Sequence, residues 1–496
     1  MRTELAPSPT KRLWAPRLCL VTGLLVGISV AWGQSDDAES APPAPSASSS
    51  SSGGFSLSDQ GSFSGSVPEG KTTGDVLPLS FKDAAERGLR NNLGLLLQGD
   101  NAMYAKGTRW KELSNLLPNL NASISEHVEQ NDLAALGLRG NILPGIPAVV
   151  GPFNYFDAHF ALKQQVFDLH SLQRERGAAL NEKAAQQSYR DARDFVILTV
   201  GNAYLLALSA TARVETAQAQ AETAQALYSK SQDQQTAGVV PAIDTLRAQV
   251  EFQNRQQQLI VARNNFAKQK LQLARIIGLP PGQEFTLTTQ EPYEPLTAMG
   301  IDDALRRAYN SRSDYQAALS KIQAAEYFRR AATAEHIPSV DVMANYGDVG
   351  VNPGNSHGAF QVAGTLNIPI FAGGKAHADA LQAEASLRQS RSQLDDLRGR
   401  IDYEVRTALL DLEAAAKQVE VARSSVDLAS QTLAQARDRF SAGVADNLEV
   451  IQAQEAVASA NESYISSLYA HNIAKVELAH AIGYAEQGVM EYLNRH

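Results

Sequence analysis

The sequence predicts a mainly α protein with a small β part: long antiparallel coiled-coil helices, and four short amphipathic strands. Three observations predict it. Two stretches hold a heptad period far beyond ordinary helix length, two segments alternate polar and apolar residues in pairs, and an internal repeat contains one of each.

The longer heptad seam runs from Ile401 to Phe440. Steps of four and three residues alternate through Ile401, Val405, Ala408, Leu412, Ala415, Val419, Ala422, Val426, Ala429, Leu433, Ala436 and Phe440, none of them polar. A 3.5-residue period held this long means a helix packed lengthwise in a left-handed supercoil. Val196, Val200, Ala203, Ala207, Ala210, Val214, Ala217, Ala221, Ala224 and Tyr228 follow the same alternation. Both seams favour alanine and valine over leucine, so neighbouring helices approach closely and one helix can touch partners on two sides. A single short stripe is ordinary core packing. Two matching stripes of ten and twelve positions are too long for a compact domain.

The N-terminus carries processing signals. Lys11, Arg12 and Arg17 form a basic region, Leu18 to Val30 an apolar core, and Ala31-Trp32-Gly33 a cleavage site before Gln34, so residues 1–33 read as a signal peptide of an exported protein. Its one cysteine, Cys19, leaves with it, which excludes disulfides and thiol chemistry in the mature chain. The whole chain has net charge −9, and losing the signal's excess of three positive charges makes it about −12. An acidic chain without a basic stripe argues against nucleic-acid binding. Residues 34–76, rich in Ser, Pro and Gly, read as a flexible leader with too little apolar surface to fold. No later run reads as the roughly 18 to 20 apolar residues of a membrane helix. A mature chain that spans a bilayer therefore does so with strands.

Folded structure is expected from Leu77. Ser80-Phe81-Lys82-Asp83 resembles a capping box opening a helix to about Asn115, which Pro118 ends. Leu120, Ala122, Ile124 and Val128 then alternate with Asn121, Ser123, Ser125 and His127; after a Gly/Pro-rich loop, Phe156, Ala158, Phe160, Leu162 and Val166 alternate again. A helix follows from about Asp168 to Thr236, and after Gly238 and Pro241 a second from Ala242 to Ile277, stopped at Gly278.

Everything then repeats. Phe81 to Ala84 correspond to Ile301 to Ala304 and Pro118 to Pro338 at a spacing of 220, while Gly238 corresponds to Gly443 and Gly278 to Gly483 at 205. The difference is expected in a longer first hairpin loop. Val340, Val342, Ala344, Tyr346, then Phe360, Val362, Leu366, Ile368 and Ile370 form the second apolar face. The chain thus divides into a first repeat at 77–278, a linker at 279–300, a second repeat at 301–483 and a tail at 484–496.

Strands of about ten residues cross a bilayer when tilted. Four cannot close a barrel, and open edges are not tolerated in lipid. Closure must come from oligomerisation: two chains give eight strands filled by side chains, three give twelve with room for a pore. The polar strand face (Asn121, Ser123, Ser125; Asp341, Asn345; Gln361, Thr365, Asn367) suits a water-filled lumen.

Several stretches carry a resemblance. Leu116-Leu117-Pro118-Asn119 marks the first helix-to-strand change, and Ile368-Pro369-Ile370-Phe371-Ala372-Gly373-Gly374 the last strand-to-helix change; Ala237-Gly238-Val239 with Ile243 to Gln249, and Phe440-Ser441-Ala442-Gly443-Val444, mark the helical turns. In this order and duplicated, they resemble the TolC-like outer-membrane efflux proteins, or outer-membrane factors, over Leu77 to Gly483. The resemblance implies a homotrimer in the outer membrane of a Gram-negative-type cell, its long helices forming an α-barrel in the periplasm and its strands a 12-stranded barrel. It implies the exit duct of a tripartite efflux or type I secretion system, with a periplasmic adaptor (membrane fusion protein) and an inner-membrane pump as partners.

By the same resemblance the helical tips, Gly238, Val239, Phe440, Gly443 and Val444, contact the adaptor. Some relatives narrow the entrance with an acidic ring; the positions read for it here are Ala434 and Arg437, so Arg437, Asp438 and Arg439 are the candidate entrance constriction instead. Both glycines also read more simply as allowing sharp turns. Of nine histidines, His127 and His159 on the first hairpin are the only pair worth inspecting for a metal, and neither has the local partners a site needs. No catalytic motif, cofactor or metal site is expected. The alternative reading is an exported periplasmic coiled-coil scaffold, which the seams allow but which leaves the alternating strands without a purpose.

Overall fold

The computed structural model describes residues 61–133, 135, 147–288, 299–444, 447–486 and 488–489. The expected signal peptide lies outside the described residues. The first repeat holds β1 (Leu77–Leu79), α1 (Phe81–Asn91), α2 (Leu93–Ser114), β2 (Asn119–Asp132), β3 (Val149–Phe167), α3 (Leu169–Thr236) and α4 (Ala242–Ile277). A short β4 (Phe285–Leu287) leads to the second: α5 (Ile301–Ser311), α6 (Ser313–Ala334), β5 (Ser339–Gly350), β6 (Ser356–Asn367), α7 (Lys375–Ser441) and α8 (Asn447–Ala481). At 68 and 67 residues, α3 and α7 are each about 100 Å long.

The seams are where the helices meet. All twelve positions from Ile401 to Phe440 and all ten from Val196 to Tyr228 are buried or half-buried, while the residues between the α7 positions are mostly exposed. Helix α3 packs against α4, α6 and α8, and α7 against α8 and α6. One window of α3 is in fact apolar enough to cross a membrane, with a mean hydropathy of 1.7 over 18 residues, contrary to the sequence reading. Its burial explains it: 72% of that window is covered by the protein's own helices, around Val196 to Leu208.

Two further expectations are corrected, and two segments given no structure in advance are filled in. The helix foreseen from Phe81 to Asn115 breaks at Asn92, whose side chain accepts from Leu95 N at 3.3 Å and so caps a new helix. The leader is already packed at its C-terminal end: Phe63 meets Phe195 edge-on at 4.8 Å, Leu93 N donates to Gly65 O, and Thr73 N donates to Gln283 Oε1. The linker contributes β4, which pairs in parallel with β1 and buries Leu79 and Phe285. The tail buries Ala485 and Val489 and pairs Glu486 with Arg193 at 3.0 Å. Each of these segments is held by a small number of contacts that no periodicity announces.

The repeat is kept in three dimensions, with a telling exchange at the helix breaks. Arg312 stands 220 residues after Asn92, between α5 and α6. Asn92 Nδ2 donates to Phe63 O, whereas Arg312 makes a two-pronged pair with Asp314 (3.1 and 2.8 Å) and donates to Glu404 at 2.6 Å and to Ala481 O at 3.2 Å. One guanidinium thus ties α6, α7 and α8 together. The glycines ending α4 and α8 lie against these breaks: a Cβ on Gly278 would stand 2.6 Å from Asn91 Cβ, and on Gly483 2.7 Å from Arg312 N.

In the helical body the titrating groups oppose one another. Burial pushes the His480 imidazole down to about 4, helped by the Arg312 charge, and burial takes His471 to about 4, helped by Lys475. Burial, then repulsion from Asp314, pushes the Asp191 carboxyl up to about 7. The neutral histidines contribute stability above pH 6.5 that is lost as pH falls toward 4; the protonated Asp191 contributes stability below 3.8 that is lost as pH rises toward 7. The two slopes partly cancel in the shared window. Asp191→Asn is therefore expected to steepen the fall in thermal midpoint on acidification from pH 6.5 to 4, and a flatter profile than wild type would contradict this assignment.

Candidate functional site

β2, β3, β5 and β6 form one antiparallel sheet in that order, leaving β2 and β6 as unpaired edges. Its register joins the expected apolar residues into continuous rows: Leu120–Leu162–Ala344–Val362 and Ala122–Phe160–Tyr346–Phe360. The other face carries Asn121–Ala161–Asn345–Gln361 and Gln165–Asp341–Thr365. The apolar face is open: Ile124 and Phe360 are each 80% exposed. Each such side chain is worth about 1.5–3 kcal/mol once covered, and a contiguous exposed patch of this kind marks a membrane or protein contact.

The hairpins differ more than their loops alone account for. β2 and β3 have 14 and 19 residues against 12 and 12 for β5 and β6, so the extra length lies in the first strands as well. Ile368 and Ile370, expected on the last strand, lie beyond its end, in the stretch to Gly374 that opens α7 with Gly373 and Gly374 at φ 61° and 86°. His127 and His159 do not meet. His127 pairs across the strands with Tyr155, while His159, four residues beyond Tyr155, lies opposite Ser123 and contacts Asp157 at 2.8 Å. Among the described residues no group of His, Cys, Asp and Glu is arranged to hold a metal.

Both helical tips close by one device. Val239 N donates to Gln234 O and Val444 N to Arg439 O, with Gly238 and Gly443 left-handed at φ 71° and 74°. Val239 and Val444 project into solvent. Neither glycine has an atom within 4 Å of an added Cβ, so backbone strain is the sole requirement. Gly238→Ala should cost about 1–2 kcal/mol, seen as a modest drop in thermal midpoint. Gly483→Ala, which adds a clash to the same strain, should cost clearly more; equal losses would contradict the contrast.

Phe440 is buried, as its place in the α7 seam predicts. It is 8% exposed and packs with Leu227, Leu433, Ala436, Val450 and Ala453, because it is the last position of the α7 seam and points inward. Arg437, Asp438 and Arg439 are exposed on the final turn of α7. Arg439 pairs with Glu449 at 3.3 Å across the turn, while Arg437 borders a groove beside Phe440. Sequence reasoning missed Glu449 and Asn447. Asn447 Nδ2 donates to Asp244 O at 3.1 Å and so binds the α8 tip to the α4 tip. The 205-residue offset that aligns the glycines also aligns Asp244 with Glu449, in the first turn of each returning helix, and was the available signal.

Comparison with known proteins agrees with this geometry. The profile of the family described as "Outer membrane efflux protein" matches residues 114–279 and 304–484. The alkaline protease secretion protein AprF of Pseudomonas aeruginosa is 23% identical over 84% of this chain and 89% of its own. The outer membrane protein TolC of Escherichia coli is 24% identical over 66% of this chain and 70% of its own. In fold, the chain is similar to the Campylobacter jejuni CmeC outer membrane channel, with a TM-score of 0.70 and 17% identity over 84% of this chain and 90% of that one. The open-state Neisseria gonorrhoeae MtrE channel gives 0.67 and 20% over 82% and 89%. With both repeats inside the profile match, the chain belongs to the outer membrane efflux protein family.

Proposed function

We propose that the chain is the exit duct of a tripartite efflux or type I secretion system, a passive conduit working as a homotrimer in the outer membrane. The observation that carries this reading is the sheet: one face apolar and exposed, the other polar, with two open edges. In lipid an open edge is costly, so β6 of one chain pairs with β2 of the next until twelve strands close. The polar face then lines a wet lumen, and the helices of about 100 Å carry that lumen into the periplasm.

Substrates come from an inner-membrane pump through a periplasmic adaptor, which meets the exposed tips at Gly238, Val239, Gly443 and Val444. Arg437 and Asp438, exposed near the second tip, are the charges available to narrow the entrance. Relatives are named for both protease secretion and antibiotic efflux, so the reading does not choose between them. A periplasmic scaffold without channel activity would leave the apolar sheet face with no role. Purified protein reconstituted into planar bilayers should give discrete conductance steps; a preparation that inserts and never conducts would end the duct reading.

A further inference from the structure

The seam between the two tip hairpins contains a groove of about 280 Å³ whose chemistry selects a ligand. Its floor is apolar, with Leu227 from α3, Phe440 from α7 and Val450 from α8. Two cations border it, Lys230 and Arg437. Lys230 Nζ stands 5.7 Å from the centre of the Phe440 ring, and among the described residues neither cation is in an ion pair, unlike the neighbouring Arg439 with Glu449. Among the described residues no carboxylate lines the groove.

The third feature is Gln454. It is 8% exposed, yet neither its Oε1 nor its Nε2 has a hydrogen-bond partner, and it faces both this groove and an adjoining cavity of about 220 Å³ that shares Thr223. An amide shut away from water with nothing to bind is costly unless a ligand or ordered water completes it. Two cations on its border, an apolar floor and a buried amide without a partner among the described residues together describe a site for a molecule with a carboxylate head and an aliphatic tail.

We propose that this groove binds medium-chain aliphatic carboxylates, the head group held by Lys230, Arg437 and Gln454 Nε2 and the chain lying over Leu227, Phe440 and Val450. The bound ligand spans from α3 of one hairpin to α7 of the other and holds the two tips together. That consequence rests on the duct reading, whereas binding itself does not.

The test uses the purified protein in amphipol, titrated calorimetrically with decanoate and, separately, with decanol. Decanoate should bind saturably, the Lys230→Gln/Arg437→Gln double variant should bind it at least about tenfold more weakly, and decanol should not saturate. Gln454→Leu, which removes the amide and keeps the tip packing apolar, should also weaken decanoate binding; circular dichroism checks that each variant is folded. Absent decanoate binding to wild type, equal binding by the double variant, or decanol binding as tightly as decanoate would each overturn the proposal. None of these outcomes depends on conductance, so the failure of this site and the failure of the duct reading are separable.

Discussion

Arg312→Met is expected to destabilise the helical body by about 3–5 kcal/mol, the usual consequence of removing one partner from a buried ion pair. Arg312 is 5% exposed and neutralises Asp314 and Glu404 at once. Methionine fills much the same volume and leaves both carboxylates without their cation. Ala481 O, at the end of α8, also loses its donor. Arg312→Lys retains the charge but not the planar fork that grips both Asp314 oxygens, so it should fall between wild type and methionine. Thermal unfolding in detergent, followed by circular dichroism at constant pH, reads the order directly. A methionine variant as stable as wild type would show that α6, α7 and α8 are held by their apolar seams alone.

Phe360→Arg should be as damaging at the other end of the molecule, and for a different reason. Phe360 lies on the exposed apolar face in the row Ala122–Phe160–Tyr346–Phe360. An arginine facing lipid near the bilayer midplane costs about 2–4 kcal/mol, and a trimer would carry that cost in every chain. Gln361→Arg, one residue along and on the polar face, should be tolerated. The readout is the amount of each variant recovered in the outer-membrane fraction. If Gln361→Arg were lost and Phe360→Arg recovered normally, the two faces would have been assigned the wrong way round.

The parts of this structure that repeat with a period were legible in the residues. Heptad steps through Val196 and Ile401 located the two long helices, alternation through Leu120 and Phe360 located the sheet faces, and Gly238 and Gly443 located the tips. What could not be read depends on contacts between distant segments. Asn92 breaks a helix because its amide also holds Phe63 O in the leader, and nothing local to Asn92 reveals that partner. Phe440 closes a seam and packs against Leu227, more than two hundred residues earlier, a partner that its own heptad does not name. The hydrophobic window of α3 is buried because that helix is the core around which α4, α6 and α8 pack.

The central claim, that four strands per chain close only in company, is tested most directly by the protein mass of the particle extracted from the outer membrane, measured by light scattering with the detergent contribution subtracted. Three chains per particle is the predicted result, since twelve strands pair both open edges and leave a pore. A monomer that stays soluble without detergent would contradict it: the apolar face would then never meet lipid, and the long helices would belong to a periplasmic scaffold.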